Sequence, residues 1–254
     1  MQKIFDKSKM DYNEFKIPKK GGKLRNVVAP NKELLKFQRS VLRTLNSFYF
    51  KQVEGTEIQD IAHGFLKGRN VITAAEQHIG YKVTIMMDIS NFFDTVYSTM
   101  LPEEFATIPQ LFHKDGYCAQ GFATSPLLAN ISSIQMLQRI SRYLKRFDDY
   151  AFTIYADDIQ ISVNIEDYDV LNRIISEVSK DIEAAGFKVN EKKTRIKYAK
   201  FGWRRILGVN VGDKEVRATR KVIRKIRAAR QQRNGPSLGG LMNWASCQKP
   251  KYRK

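Results

Sequence analysis

Cysteine is nearly absent from this chain. Cys118 and Cys247 are the two among 254 residues, far apart and outside any Cys/His cluster, so neither a disulfide framework nor a zinc site is implied. Long apolar runs are absent as well: the longest uncharged stretch, Gly116 to Gln138, is broken by Pro126 and by several Ser, Asn and Gln, which excludes a membrane span there. No basic start followed by an apolar middle and a small-residue cleavage site opens the chain, so secretion is not expected and a reducing cytoplasm fits. Internal repeats and low-complexity linkers are also missing. What remains, with an apolar fraction of 43%, is enough for a real core.

Acid is what the last quarter lacks. From Lys192 onward 20 Lys and Arg face only Asp213 and Glu215, while the preceding segment balances 24 bases with 24 acids, so the whole net charge of +18 lies at the C-terminal end. Such a block can bind polyphosphate or an anionic membrane face, or it can be a solvated surface. With 11 Tyr, 15 Phe and two Trp to stack on bases, nucleic acid is the favoured partner.

Chemistry concentrates at Tyr155-Ala156-Asp157-Asp158, between two apolar, β-rich runs, Ala151 to Ile154 and Ile159 to Val163, that read as the arms of a hairpin. Two Asp at a hairpin tip are ordinary turn residues by themselves. A third carboxylate, Asp88, ends another apolar run, Val83 to Met87. If the runs are neighbouring strands, the three carboxylates converge, and such a cluster resists ionising unless cations neutralise it. Hard oxygen donors suit Mg²⁺, and two such ions about 4 Å apart can activate an attacking hydroxyl and stabilise a leaving pyrophosphate. That is the chemistry of a nucleotidyl transferase.

Flanking segments supply candidate ligands for a nucleotide. Tyr12 to Ile17 and Leu24 to Val28 read as strands around a glycine turn with three lysines, followed by Arg25; these bases can close over a triphosphate or form a solvated turn. Pro30-Asn31 opens a helix, and Val71 to Ile79 a shorter one that ends near Gly80. Arg69 is a second candidate phosphate contact. After Asp88 come Phe92, read as core, and Phe93, read as a gate under the sugar that excludes a 2′-hydroxyl, with Asp94 as a helix cap. Gln120 can hydrogen-bond a base or sugar, and Gly121 lets backbone approach a ligand; an apolar helix follows from Leu127 to about Tyr143. Glu166 to Ala185 reads as an amphipathic helix. Lysines near residue 190 can protonate a leaving pyrophosphate or remain solvated. Trp203 to Val211 with Val216 reads as a last hairpin. Thr219 to Arg233 reads as a helix with Val222, Ile223 and Ile226 on one face and Arg224, Lys225, Arg227 and Arg230 around the rest, spaced to run beside a duplex backbone.

The runs IPKKGGKLRNVVAP, HGFLKGRN, MMDISNFFDTV, QGFATSPLLANI, YADDIQIS, GFKVNEKKT and RRILGVNV, in this order, resemble a reverse transcriptase, and most of all the compact bacterial enzymes of retrons and related defence elements. The resemblance covers most of Phe15 to Val211. It implies an α+β right-hand polymerase: fingers at 1–80, palm with an antiparallel sheet at 81–111, a junction carrying the nucleotide-pocket loop at 112–128, palm again at 129–213 and a short basic thumb at 214–254. It makes Asp88, Asp157 and Asp158 the ligands of two Mg²⁺ ions, with the carbonyl of Ile89 helping. Lys193 becomes the general acid, Lys19 and Arg25 the triphosphate-holding fingers, and Arg205 to Val211, with Gly208 in its turn, the primer grip. It further implies dNTPs, a structured non-coding RNA as template or primer, an RNA–DNA hybrid product, an antiphage setting with a toxin or effector partner, no membrane, and no room for an RNase H domain. Untemplated or self-primed synthesis, and an idle RNA-binding scaffold for a toxin, are the alternatives. Two departures stand out: Ala74-Ala75-Glu76-Gln77-His78 keeps the Ala and His of the retron Asn-Ala-x-x-His pattern without its Asn, and Ile206-Leu207-Gly208 replaces Val-Thr-Gly. His78 is accordingly an RNA contact or a satisfied structural histidine.

Overall fold

The computed structural model describes residues 6–18, 22, 24–232 and 235–246. Lys19, expected among the triphosphate-holding fingers, lies outside the described residues. Along the chain run β1 (Tyr12–Pro18), β2 (Leu24–Pro30), α1 (Lys32–Val53), α2 (Ile58–Ile61), α3 (Val71–Glu76), β3 (Val83–Asp88), α4 (Glu103–Ala106), α5 (Ser125–Leu144), β4 (Tyr150–Tyr155), β5 (Asp158–Val163), α6 (Tyr168–Ala184), β6 (Arg195–Tyr198), β7 (Arg204–Ile206), β8 (Val209–Val211), β9 (Val216–Ala218), α7 (Arg220–Gln231) and α8 (Gly235–Ser246). They form two compact units, one from Met1–Gln59, Ile89–Arg139 and Asp181–Lys188, the other from Asp60–Asp88, Ile140–Lys180 and Val189–Lys254. Among the described residues no helix is long and apolar enough to cross a membrane.

In the first unit, β1 and β2 pair antiparallel from Tyr12↔Pro30 to Pro18↔Leu24. Asn31 caps α1 by accepting the Leu34 N–H at 2.9 Å, which satisfies one of the donors a helix start leaves open. Val28 donates its N–H to the Gln120 carbonyl at 2.8 Å. The next residue, Gly121, has φ +117°, and a Cβ there would fall on the Val28 carbonyl oxygen, so only glycine fits. The close approach expected of Gly121 is thus made to the backbone of β2. Asp94 lies inside a 3₁₀ turn, Phe92–Thr95, whose N-cap is Asn91, and does not cap a following helix as the sequence suggests.

The second unit is built on a sheet of order β4-β5-β3-β6. Alternation sorts its faces. One carries the cross-strand pairs Val83↔Val163, Ile85↔Ile161 and Met87↔Ile159, the other Thr84↔Ser162, Met86↔Gln160 and Asp88↔Asp158. Both faces are closed: Ile85, Ile161, Thr84 and Ser162 are all fully buried. A buried polar row is tolerated only if its groups find partners, and here His78 supplies them. The ring sits 2.8 Å from Ser162 Oγ through Nδ1 and 2.8 Å from Thr153 Oγ1 through Nε2. Sequence alone left His78 between an RNA contact and a structural role; fully buried and bonded on both nitrogens, it is structural.

One arrangement of protons satisfies every group in this row. Arg204, itself buried, can only donate, and it gives Nη1–H to Thr84 Oγ1 at 2.9 Å and Nη2–H to the His78 carbonyl at 2.8 Å. In that arrangement Thr84 gives its own proton to Ser162, 2.7 Å away, and Ser162 gives its proton to His78 Nδ1. The imidazole is then neutral with its hydrogen on Nε2, which donates to Thr153, and Thr153 donates to Gln160 Oε1 at 3.1 Å. A second ring proton would meet the Ser162 donor head-on. Burial and the neighbouring Arg204 charge push the His78 pKa down to about 3.

A second small sheet, β7-β8-β9, follows. It has one strand more than the hairpin read from the sequence, because Val216 and its neighbours pair with β8. Ile206, Val209, Val211 and Val216 pack with Ile72 and Ala75 of α3 in one apolar cluster. On α7 the expected apolar stripe is narrower than read: Ala229 is buried while Ile223 is 39% exposed.

Because the folded state refuses a proton that free histidine accepts near pH 6.5, stability should be full above that pH. It should fall below it, by about 1.4 kcal/mol per pH unit per such histidine. His78 sustains the fall to about pH 3, and His63, lowered to about 4 chiefly by burial, adds to it over a shorter range. Urea unfolding between pH 4 and 7 should show His78→Phe to be about 3 kcal/mol less stable than wild type at pH 7, with a shallower slope below pH 6.5. Equal slopes would contradict the buried neutral imidazole.

Candidate active site

Asp88 ends β3 and Asp158 begins β5, and the register sets them directly opposite one another. Such facing residues have Cβ atoms about 5 Å apart. Asp157 precedes Asp158 in the two-residue connection between β4 and β5, where Tyr155 pairs with Asp158. That connection is tight. Ala156 has φ +56°, a left-handed conformation that costs a non-glycine residue about 1–2 kcal/mol. The loop of the HGFLKGRN run lies against it: His63 donates its N–H to the Ile154 carbonyl at 2.9 Å, and a Cβ on Gly64 would come within 2.6 Å of the Ala156 nitrogen. The strained turn is held from outside as well as by its own strands.

The electrostatics are those of crowded acids. Burial, then Asp157 and Asp88, raise the Asp158 pKa to about 6. Asp88, 5% exposed, is held on both oxygens: Asn190 donates Nδ2–H to Oδ1 at 2.9 Å, and Lys193 donates Nζ–H to Oδ2 at 2.6 Å. Asn190 also donates its backbone N–H to the Asp88 carbonyl at 2.7 Å. The bond to Asp88 raises the Lys193 pKa above its ordinary value. By kind, these hard oxygens fit Mg²⁺. As they stand, Lys193 serves as counter-ion, and among the described residues no three His, Cys, Asp or Glu are arranged as a ready metal cage.

The other expected site residues divide between the units. Asp88, Asp157, Asp158, Lys193 and Asn190 all belong to the second unit, as do Arg69, Arg205, Gly208 and the α7 bases. Arg69 turns back on its own loop, giving one hydrogen bond to the Ala62 carbonyl and a 3.2 Å ion pair to Asp60. Arg205 is exposed on β7, and the β7–β8 turn has Leu207 at φ +47° and Gly208 at φ +81°. Arg224, Lys225, Arg227 and Arg230 are exposed on α7. Arg25, Ile89, Phe93, Gln120 and Gly121 belong to the first unit. There Arg25 is exposed on β2, Ile89 is buried, and Phe92 is buried 5.5 Å from the Phe187 ring as expected of a core residue, with Phe93 half-buried beside it. Sequence reading missed Asn190 and Arg204. Asn190 stood within the GFKVNEKKT run, read there for its lysines alone; Arg204 looked like one more base in a basic segment.

A family model described as reverse transcriptase (RNA-dependent DNA polymerase) matches residues 17–219. The retron Mx65 reverse transcriptase of Myxococcus xanthus is 30% identical over 79% of this chain and 51% of its own length. The retron Mx162 reverse transcriptase of the same organism is 31% identical over 92% of this chain and 56% of its own. The chain thus spans about half the length of these relatives. Among solved structures, apo telomerase from Candida tropicalis superposes with a TM-score of 0.60 over 82% of this chain and 55% of that one, at 13% identity, a likeness of fold. The α+β right-hand fold expected from the motifs is the one found.

Asn190→Ala leaves one Asp88 oxygen without its donor. Residues that orient metal ligands typically contribute 10- to 100-fold to affinity, so Mn²⁺ titrated calorimetrically should bind about 10-fold or more weakly to this variant, with the melting temperature little changed. Unaltered Mn²⁺ affinity would reduce Asn190 to a packing role.

Proposed function

The chain belongs to the reverse transcriptase family, and from that premise we propose that it is an RNA-directed DNA polymerase whose nucleotidyl-transfer site is built on Asp88, Asp157 and Asp158. The observation that carries the reading is the Asp88↔Asp158 register, with Asp157 close enough to help raise the Asp158 pKa to about 6. Carboxylates gathered at this cost fit a site meant for cations. In this reading the three Asp, with the Ile89 carbonyl, hold two Mg²⁺ ions. When bound, such ions activate a primer hydroxyl and stabilise the developing charge on a departing pyrophosphate.

The chain's own residues do the rest. Asn190 keeps one Asp88 oxygen aimed while Lys193, released from the other, delivers a proton to the pyrophosphate. Arg25 and Lys19 grip the triphosphate, and Arg69 joins them on leaving Asp60. Gln120 and Gly121 line the nucleotide pocket, and Phe93 stands beneath the sugar. Arg205 and the Gly208 turn hold the primer, and Arg224, Lys225, Arg227 and Arg230 follow the duplex backbone. The fingers, palm and thumb boundaries given above, a cytoplasmic setting, dNTP substrates and a hybrid product belong to the same proposal. Likeness to the retron enzymes supports a structured RNA as template; an antiphage role with an effector protein extends that reading.

Asp157→Ala combined with Asp158→Ala should lower dNTP incorporation on an RNA template by on the order of a thousandfold or more, the scale of several kcal/mol of charge stabilisation. RNA binding should survive in a filter assay, because the basic C-terminal region is untouched. Primer extension by the double variant would refute the site; RNA binding by a wild type that incorporates nothing would favour the scaffold reading. Phe93→Ala should improve ribonucleotide incorporation relative to deoxyribonucleotide by about tenfold, the usual worth of one excluded small group.

A further inference from the structure

Phe201 is the most exposed large apolar side chain among the described residues, at 82%. It lies just beyond β6, in a run whose neighbours make it more than a stray surface ring. Tyr198 meets it edge to face, with centroids 5.9 Å apart at 77°. The Lys200 ammonium lies 5.2 Å from the Tyr198 centroid and 5.7 Å from that of Phe201, and Glu166 holds that ammonium at 2.6 Å. Trp203, 46% exposed, has the Arg217 guanidinium 5.1 Å from its ring, and Arg217 is in turn paired with Glu215. Within residues 198–203, then, three rings each have a cation beside them that is itself ion-paired.

The surroundings select the partner. Lys214 lines a cavity together with Trp203, in addition to Lys200 and Arg217 beside the rings. The central patch of a protein interface is depleted of charge, whereas this apolar patch is interleaved with bases. Flat rings beside cations match a polymer that offers π-faces and phosphates together, and only unpaired strands leave the base faces open. A cavity of about 350 Å³, lined by Ala199, Gly202, Asp213, Lys214 and Glu215 among others, opens beside Trp203. Its carboxylates can accept from the amino edge of a base.

We propose that Tyr198, Lys200, Phe201 and Trp203 form a stacking platform for an unpaired nucleic-acid segment, apart from the residues assigned to nucleotide, metal and primer. The inference rests on the reading of the chain as an RNA-using polymerase and adds a second contact to it. Because Phe201 is almost fully solvated, its removal tests the platform without disturbing the core.

Phe201→Ala, Phe201→Trp and wild type are compared by fluorescence anisotropy on a labelled, unstructured 20-nucleotide oligo(U), with oligo(dT) and a blunt RNA duplex as the other arms. One lost base stack corresponds to about 5- to 100-fold in affinity. Phe201→Ala should weaken oligo(U) binding within that range, Phe201→Trp should restore it, and duplex binding should not move. The salt slope should be unchanged for Phe201→Ala and shallower by about 0.7 for Lys200→Ala. Weakening on oligo(dT) as well as on oligo(U) would place recognition in the bases; weakening on oligo(U) alone would bring in the 2′-hydroxyl. Either supports the platform. Equal oligo(U) affinity for wild type and Phe201→Ala overturns it, as does a Phe201→Ala effect confined to self-association in gel filtration, which would mark a protein interface. Wild type that neither binds oligo(U) nor extends an annealed primer would instead defeat the proposed function. Intact extension with an unaffected Phe201→Ala would defeat the platform alone.

Discussion

Register between two antiparallel strands is the constraint on which the site depends. Asp88 faces Asp158 because Val83, Ile85 and Met87 face Val163, Ile161 and Ile159 on the other side of the same pair. A slip of one residue would turn every side chain to the opposite face. Were β5 the strand that slipped, Asp158 would move to the aliphatic face, Asp88 would lose its partner, and aliphatic side chains would meet the polar row. The acids are therefore held in place by apolar residues they never touch, and the energy that fixes the register is ordinary hydrophobic burial.

The polar face adds a second restraint of a different kind. Hydrophobic pairs tolerate sideways adjustment, whereas the run from Arg204 through Thr84, Ser162, His78 and Thr153 to Gln160 works in one direction only, because each hydroxyl has a single proton to give. Thr84 and Ser162 lie on the strands that carry Asp88 and Asp158, and Arg204 lies on β7. The small sheet bearing Arg205 and Gly208 is thus bonded through a buried guanidinium to the strands that bear the acids. Arg204 keeps its Nε without a protein partner, so this link carries some cost. A buried cation is unfavourable unless well bonded; here it gives one hydrogen bond to Thr84 and one to the His78 carbonyl.

How much of this the sequence discloses depends on the range of the interaction. Local signals were legible: the strands on either side of Asp157-Asp158, the Asn31 cap, the amphipathic α6 and the basic α7 follow from spacing and turn chemistry within a few residues. The convergence of Asp88 with the other two acids was legible only as a condition, that two apolar runs become neighbouring strands, and the register met it. Partners distant in the chain were not legible. Nothing around His78 announces that Ser162 and Thr153 will close on its two nitrogens, and nothing around Arg204 distinguishes a fully buried arginine from its exposed neighbour Arg205. Gly121 illustrates a subtler limit: its sequence context suggested backbone approaching a ligand, whereas the neighbour it meets is the Val28 carbonyl.

Lys193 brings the two halves of the site's chemistry into conflict. Its bond to Asp88 raises its pKa, which makes it a good counter-ion and a poor proton donor. General acid catalysis favours a group whose pKa lies nearer the working pH. Under the proposed function the same ammonium cannot fill both roles at once, and separation from Asp88 is what changes one into the other, since the interaction that raises the pKa is the one that must be given up. Its side chain is 61% exposed, while Asn190 holds Asp88 by side chain and backbone together. Under the proposed function Asn190 keeps the carboxylate aimed by two bonds while Lys193, joined to it by one, leaves.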